Sequence, residues 1–178
     1  SYTGASVVCE PLRADEAFVN WFYGRTGCMV NAIYPAFKLR LMAEQGWDLS
    51  QYDIMGQGSY NFFRLTGERA TTRNMVSGAG LLNTHACDYD DEVLAFIGIT
   101  REQLPRFRGF DETLPLSDEG AAALGLRSGI PVVPVGSDGG LNQLGAGAGE
   151  AGIMTFSVGT SGAIRLSALM GARVAYVL

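Results

Sequence analysis

Lysine and histidine are almost missing from this sequence: there is one of each, Lys38 and His85, in 178 residues. A lone histidine, with no cysteine at metal spacing, speaks against a zinc site and leaves His85 as a hydrogen-bonded structural residue. Cysteine is also sparse. Cys9, Cys28 and Cys87 are odd in number with no close pair, so neither a disulfide framework nor a zinc cluster is expected, and a cytoplasmic location fits best. Positive charge is short, 13 basic against 18 acidic residues for a net charge of -5. The basic residues are scattered rather than gathered in a stripe, which argues against nucleic acid as a partner. No apolar run approaches the roughly 18 uninterrupted residues needed to span a bilayer, so no membrane partner is expected. Ser1 to Pro11 carry no secretory signal pattern. The chain opens without methionine and stops inside the apolar run Ala172 to Leu178, which reads as a strand. Both ends are therefore expected to be cut.

What is abundant is glycine, 24 residues, crowded between Gly136 and Gly162, where the backbone must turn tightly or approach something closely. The length suits one domain and a fraction of another. Apolar spacing predicts a helix over Asp15 to Tyr23 ending at Gly24, and a second over Ala36 to Gln45 with Pro35 in its first turn. Ser59 to Leu65 reads as helix or strand. Acidic residues at its start favour a helix over Asp88 to Ile97, and Ala121 to Leu124 forms a short helix ended by Gly125. Trp21 and Trp47 are read as core or helix-end packing. Ile130 to Val135, β-branched but broken by two prolines, reads as a strand near an edge. Asn142 to Ala148 reads as a closely packed helix. Gly152 to Val158 and Ala163 to Ser167 read as strands joined by a turn over Gly159 to Gly162. The whole is an α/β protein with a lobe boundary near Gly149 to Gly152.

Two places could carry chemistry. The strand over Ile130 to Val135 runs into Gly136-Ser137-Asp138-Gly139-Gly140, and ligands of open α/β sheets bind at the carboxyl ends of strands. Asp138 can there accept the proton of an attacking hydroxyl, or cap the helix that follows; the two roles are compatible. The turn Gly159-Thr160-Ser161-Gly162 is either a nest of backbone N–H groups for phosphate or an ordinary glycine-rich hairpin turn. A small anion such as ATP is admissible despite the acidic balance, because backbone N–H groups and a bound metal can hold phosphate. Lys38, on its predicted helix, either meets a substrate hydroxyl or covers apolar surface with its stem.

The run from Ile130 through Gly136-Ser-Asp-Gly-Gly-Leu-Asn-Gln-Leu-Gly, followed by Met154-Thr-Phe-Ser-Val-Gly-Thr-Ser-Gly-Ala-Ile-Arg, resembles the junction between the two lobes of FGGY carbohydrate kinases. Upstream, Arg25-Thr26-Gly27-Cys28, Tyr34-Pro35 with Lys38-Leu39, Leu65-Thr66-Gly67-Glu68 and Ser77-Gly78-Ala79-Gly80-Leu81-Leu82 follow the family's order. The resemblance runs from about Trp21 to Leu166. It implies a two-lobed actin-like ATPase (ribonuclease H-like) fold, present here in part: residues 1–151 as the later part of the sugar-binding lobe and 152–178 as the start of the nucleotide-binding lobe.

It further implies ATP-dependent phosphorylation of a sugar or sugar acid, with Asp138 as catalytic base and Gly159, Thr160, Ser161 and Gly162 around the ATP phosphates. Mg2+ accompanies the nucleotide, and no metal ligand is assigned within the chain. Asn83-Thr84-His85, Asp88-Tyr89-Asp90, Tyr34 and Lys38 look like the gluconate kinase group, which puts Tyr34, Lys38 and Gly139 on the substrate side. Gly139 stands where xylulose kinases tend to carry asparagine and glycerol kinases glutamine, so a polar sugar contact is absent at that position. The family's opening phosphate hairpin and its adenosine site are both missing, so the fragment alone is expected to be inactive. A homodimer is an admissible assembly. The alternatives are a xylulose or other sugar kinase of the same family, or a non-catalytic carbohydrate-binding protein. A dinucleotide-binding Rossmann unit fits poorly, because the glycines do not lie between a first strand and a helix.

Overall fold

The computed structural model describes residues 4–159 and 162–167. It divides into two compact units, one ending at Val135 and one beginning at Gly136.

The first unit opens with helices α1 (Ser6–Ala14), α2 (Glu16–Thr26) and α3 (Pro35–Glu44). Asp15 starts α2 by accepting the Phe18 N–H at 3.1 Å. The helix passes through Gly24, where a stop was expected, and ends three residues later. Gly24 needs no special backbone conformation, whereas Gly27 adopts φ +67° and closes the helix with its N–H on the Tyr23 carbonyl. Pro35 takes the first position of α3, where its missing N–H costs nothing. The ambiguous segment is helical, α4 (Gln57–Thr66).

Strand β1 (Ala70–Thr71), helix α5 (Arg73–Ser77), β2 (Leu82–Asn83) and β3 (Asp88–Tyr89) follow. Helix α6 (Asp91–Ile97) is shorter than the sequence suggests. Asp88 and Tyr89 pair instead with β2, because the buried Asp90 side chain caps the Glu92 and Val93 N–H groups and fixes the helix start beyond it. Then come β4 (Arg106–Phe107), parallel to β1, β5 (Leu114–Pro115), α7 (Asp118–Leu124) and β6 (Pro131–Val132), antiparallel to β5. The expected strand over Ile130 to Val135 thus shrinks to two residues, since Pro131 and Pro134 offer no N–H to a ladder. Helix α7 approaches the end of α4 so closely that a β-carbon on Gly120 would stand 2.8 Å from the Leu65 carbonyl oxygen.

The core of this unit lies between α1, α2, α3 and α6, where Phe22, Phe37, Val93, Leu94, Ile97 and Cys9 are fully buried. The Phe22 and Phe37 rings meet at 4.9 Å. Burying each such ring stabilises the fold by about 1.5–3 kcal/mol. Trp21 packs among Phe18, Phe22 and Phe96, while Trp47 follows the end of α3, half exposed against Tyr52. Among the described residues no buried side-chain nitrogen or oxygen lacks a hydrogen bond, and no helix is long and apolar enough to cross a membrane.

The second unit contains α8 (Asp138–Gly145) and a hairpin of β7 (Met154–Val158) and β8 (Gly162–Leu166). Helix α8 starts four residues before the expected Asn142, because the Ser137 hydroxyl accepts the Gly140 N–H at 3.3 Å and opens the helix there. The hairpin register pairs Met154 with Leu166 and Val158 with Gly162. Met154, Phe156, Val158, Ile164 and Leu166 alternate along the strands and share one exposed face. The intervening Thr155, Ser157, Ala163 and Arg165 occupy the other, partly covered face. The terminal run Ala172 to Leu178 lies outside the described residues.

Candidate active site

Asp138 is the first residue of α8 and is exposed. The capping function weighed for it belongs to Ser137. The Asp138 carboxylate accepts only the neighbouring Gly139 N–H, at 2.7 Å, and its second oxygen has no partner among the described residues. An exposed carboxylate with a free oxygen at the start of a helix can accept a proton from a hydroxyl brought to it.

Gly139 lies against a side chain that sequence reasoning did not single out. A β-carbon built on Gly139 would stand 3.3 Å from Nε and 3.4 Å from Nη2 of Arg165. The third nitrogen, Nη1, donates to the Ser157 hydroxyl at 2.9 Å. The hairpin is tied to α8 by buried Gln143, whose amide nitrogen donates to the carbonyls of Ala148 and Ile153 and to the Ser167 hydroxyl at 3.2–3.3 Å, while its oxygen accepts from Thr155. Gly159 follows β7, and Gly162 opens β8 opposite Val158. Thr160 and Ser161 lie outside the described residues.

Tyr34 and Lys38 belong to the first unit. Tyr34 precedes α3 and is half-buried beside Gly80, where a β-carbon would fall 3.7 Å from that of Tyr34. Lys38 lies one helical turn on, half exposed and without a hydrogen-bond or ion-pair partner among the described residues. The fold also gathers the scattered motif segments of this unit. Asp90 accepts from Arg25 at 3.1 Å and from the Asn83 amide at 2.8 Å, and Arg25 also pairs with Glu92. Thr84 N–H binds the Arg25 carbonyl, and His85 Nε2 lies 3.0 Å from the Gly24 carbonyl oxygen, the structural role anticipated for it. Burial pushes the Asp90 carboxyl up, but the Val93 N–H, the Asn83 amide and Arg25 outweigh it and hold the group below the ordinary range. Among the described residues no group of three or more His, Cys, Asp or Glu is placed to hold a metal ion.

A cavity of about 530 Å³ in this unit is lined by Asp53, Phe63, Glu68, Arg69, Leu104 and Arg106, none of them a predicted site residue. Its charges satisfy one another: Glu68 pairs with Arg106 at 3.1 Å, and Arg69 with Asp53. Arg108 holds Glu68 in a two-pronged bond of 2.8 and 2.9 Å and lowers its pKa, as Arg101 lowers that of Asp88. Groups with a lowered folded pKa stabilise fully above their unfolded value and lose that contribution as pH falls through the folded one. The urea midpoint of the chain should therefore stay level from neutrality to about pH 5 and fall below about pH 4, the ordinary carboxylate range. Glu68→Gln should flatten part of the fall; an equally steep fall in the variant would remove Glu68 from this account.

Residues 3–145 match the N-terminal domain of the FGGY family of carbohydrate kinases. The chain is similar to the gluconokinase of Bacillus subtilis (strain 168), 30% identical over 146 residues, which is 80% of this chain and 28% of that protein. Among solved structures it resembles gluconate kinase from Lactobacillus acidophilus with a TM-score of 0.83 at 30% identity, covering 90% of this chain and 33% of that one. It resembles ligand-bound xylulose kinase from the same organism with a TM-score of 0.84 at 30% identity, covering 91% and 34%. The chain thus spans about a third or less of the relatives it matches.

Proposed function

This chain belongs to the FGGY family of carbohydrate kinases and carries part of their actin-like ATPase fold, and from that premise we propose that its full-length parent phosphorylates a gluconate-like sugar acid with ATP. The observation that carries the reading is the Asp138 carboxylate, relieved of capping by Ser137 and open at one oxygen. Asp138 takes the proton of the substrate hydroxyl as that oxygen attacks the γ-phosphorus. The bond from the γ-phosphorus to the bridging oxygen breaks, and ADP departs with the electron pair.

Gly159, Thr160, Ser161 and Gly162 hold the phosphates through backbone N–H groups, and Tyr34, Lys38 and Gly139 face the substrate. Magnesium, arriving with the nucleotide, would supply charge neutralisation at the phosphates; among the described residues no group of three or more His, Cys, Asp or Glu is placed to hold it, and none of these roles depends on one. Residues 1–151 form the later part of the sugar-binding lobe and 152–178 the start of the nucleotide lobe, a division supported by the N-terminal-domain match reaching residue 145. On this reading the parent works in the cytoplasm, and the fragment alone is inactive.

The test is a phosphotransfer screen of the full-length parent with ATP, magnesium and gluconate, xylulose, ribulose and glycerol. Preferential turnover of gluconate is expected. Preference for xylulose would keep the kinase and correct the substrate, and no turnover of any would favour a non-catalytic carbohydrate-binding protein.

A further inference from the structure

We infer that Arg165 reads the carboxylate of a sugar-acid substrate, and that the missing side chain at Gly139 leaves the room for it. The inference rests on the kinase reading for its site and goes beyond it in naming the group that selects the substrate class.

A guanidinium has one edge, Nε with one Nη, that matches the two oxygens of a carboxylate in parallel hydrogen bonds. In Arg165 the remaining nitrogen, Nη1, is engaged by Ser157, which fixes the orientation of the plane. The Nε and Nη2 edge has no hydrogen-bond partner among the described residues, and Arg165 forms no ion pair there, not even with Asp138. That edge is the part of the side chain lying nearest the place of a residue-139 β-carbon, at 3.3 and 3.4 Å. Few real β-carbon contacts are so tight, so a side chain at 139 would require the guanidinium to give by a few tenths of an ångström. Arg165 is also held on the partly covered face of the hairpin, opposite the exposed apolar face, so its position is set by strand register.

The consequence is a fork against the glycine that follows the proposed base, oriented and lacking an internal anion among the described residues. A neutral sugar offers it hydroxyl groups only. An aldonate offers it a charge and matched geometry. The same edge also suits a phosphate, so the nucleotide is the competing source of the anion, and the test must separate the two.

The test compares gluconate with xylulose in the full-length parent, by steady-state kinetics at varied ATP and by calorimetric binding of each sugar without nucleotide. Arg165→Gln should lower the gluconate-to-xylulose ratio of kcat/KM about 100-fold, mostly through the KM for gluconate, the scale of a lost charge-assisted pair. Gluconate binding should weaken by a similar factor, with the KM for ATP unmoved. Arg165→Lys, which keeps the charge without the fork, should restore part of the ratio, and Gly139→Asn should shift it in the same direction as Arg165→Gln. Far-UV circular dichroism and the urea midpoint report that each variant is folded. An unchanged ratio, or a rise in the KM for ATP with both sugars alike, would overturn the inference and assign the guanidinium to other work. Wild-type protein that binds gluconate through Arg165 yet transfers no phosphate would sink the kinase reading and leave the carboxylate site standing. Wild-type protein that binds no gluconate would overturn the site.

Discussion

Replacing Asp138 with asparagine in the full-length parent should lower kcat by about a thousandfold, within the range for loss of a general base, and move the sugar KM by only about threefold. The structure makes this substitution unusually clean. Asparagine has the same shape and can still accept the Gly139 N–H through its side-chain oxygen. The start of α8 does not depend on the change, because Ser137 provides the cap. What disappears is the capacity to take a proton. Single-turnover measurements with saturating ATP would place the loss in the chemical step. A variant that turned over at the wild-type rate would remove Asp138 from the mechanism, and the proton would have to leave by another route.

The second large effect belongs to stability. Asp90→Ala should lower the unfolding free energy by about 2–4 kcal/mol, the scale for losing a helix cap together with buried hydrogen bonds to a carboxylate. Its carboxylate does four things at once from a site 2% exposed: it caps two N–H groups of α6, receives Arg25 and receives Asn83. Alanine leaves the two α6 N–H groups and the Asn83 amide without that acceptor in a place that water barely reaches, while Arg25 keeps Glu92. Asp90→Asn should cost less, about 1–2 kcal/mol, because asparagine is itself a good cap and only the charge is lost. Urea unfolding followed by circular dichroism gives both numbers. If the alanine variant lost less than about 1 kcal/mol, the group would be less central than its hydrogen bonds make it.

Much of the fold was legible in the sequence because helix ends are local events. Pro35 and Gly125 each mark a boundary within one turn of the observed one. Gly24 misled because a glycine permits a stop without requiring one; the stop needed the left-handed backbone that Gly27 supplies. Strands were harder. Outside the final hairpin they are two residues long, and their pairing depends on partners as distant as Ala70 and Arg106. Pattern within a window cannot express that.

The candidate site divides in the same way. Asp138 and the glycines around it form a continuous run, and a run can be matched to a family. The contact between Gly139 and Arg165 spans a helix and a hairpin, and the Arg25–Asp90 pair joins residues 65 apart. Neither leaves a mark in the local sequence, since a glycine gives no sign of what fills the space it vacates.

Gln143 has a consequence of a mechanical kind. One amide fastens α8 to the loop after it, to β7 and to the residue that follows β8, through bonds to Ala148, Ile153, Thr155 and Ser167. A helix tethered in its last turn to a hairpin cannot slide along it or roll against it without breaking several bonds together. The helix that begins with Asp138 and the strand that carries Arg165 therefore travel as a single stiff part, like two jaws cut from one piece of metal. Whatever motion admits a substrate to this unit, the spacing between its acid and its guanidinium is set before the substrate arrives.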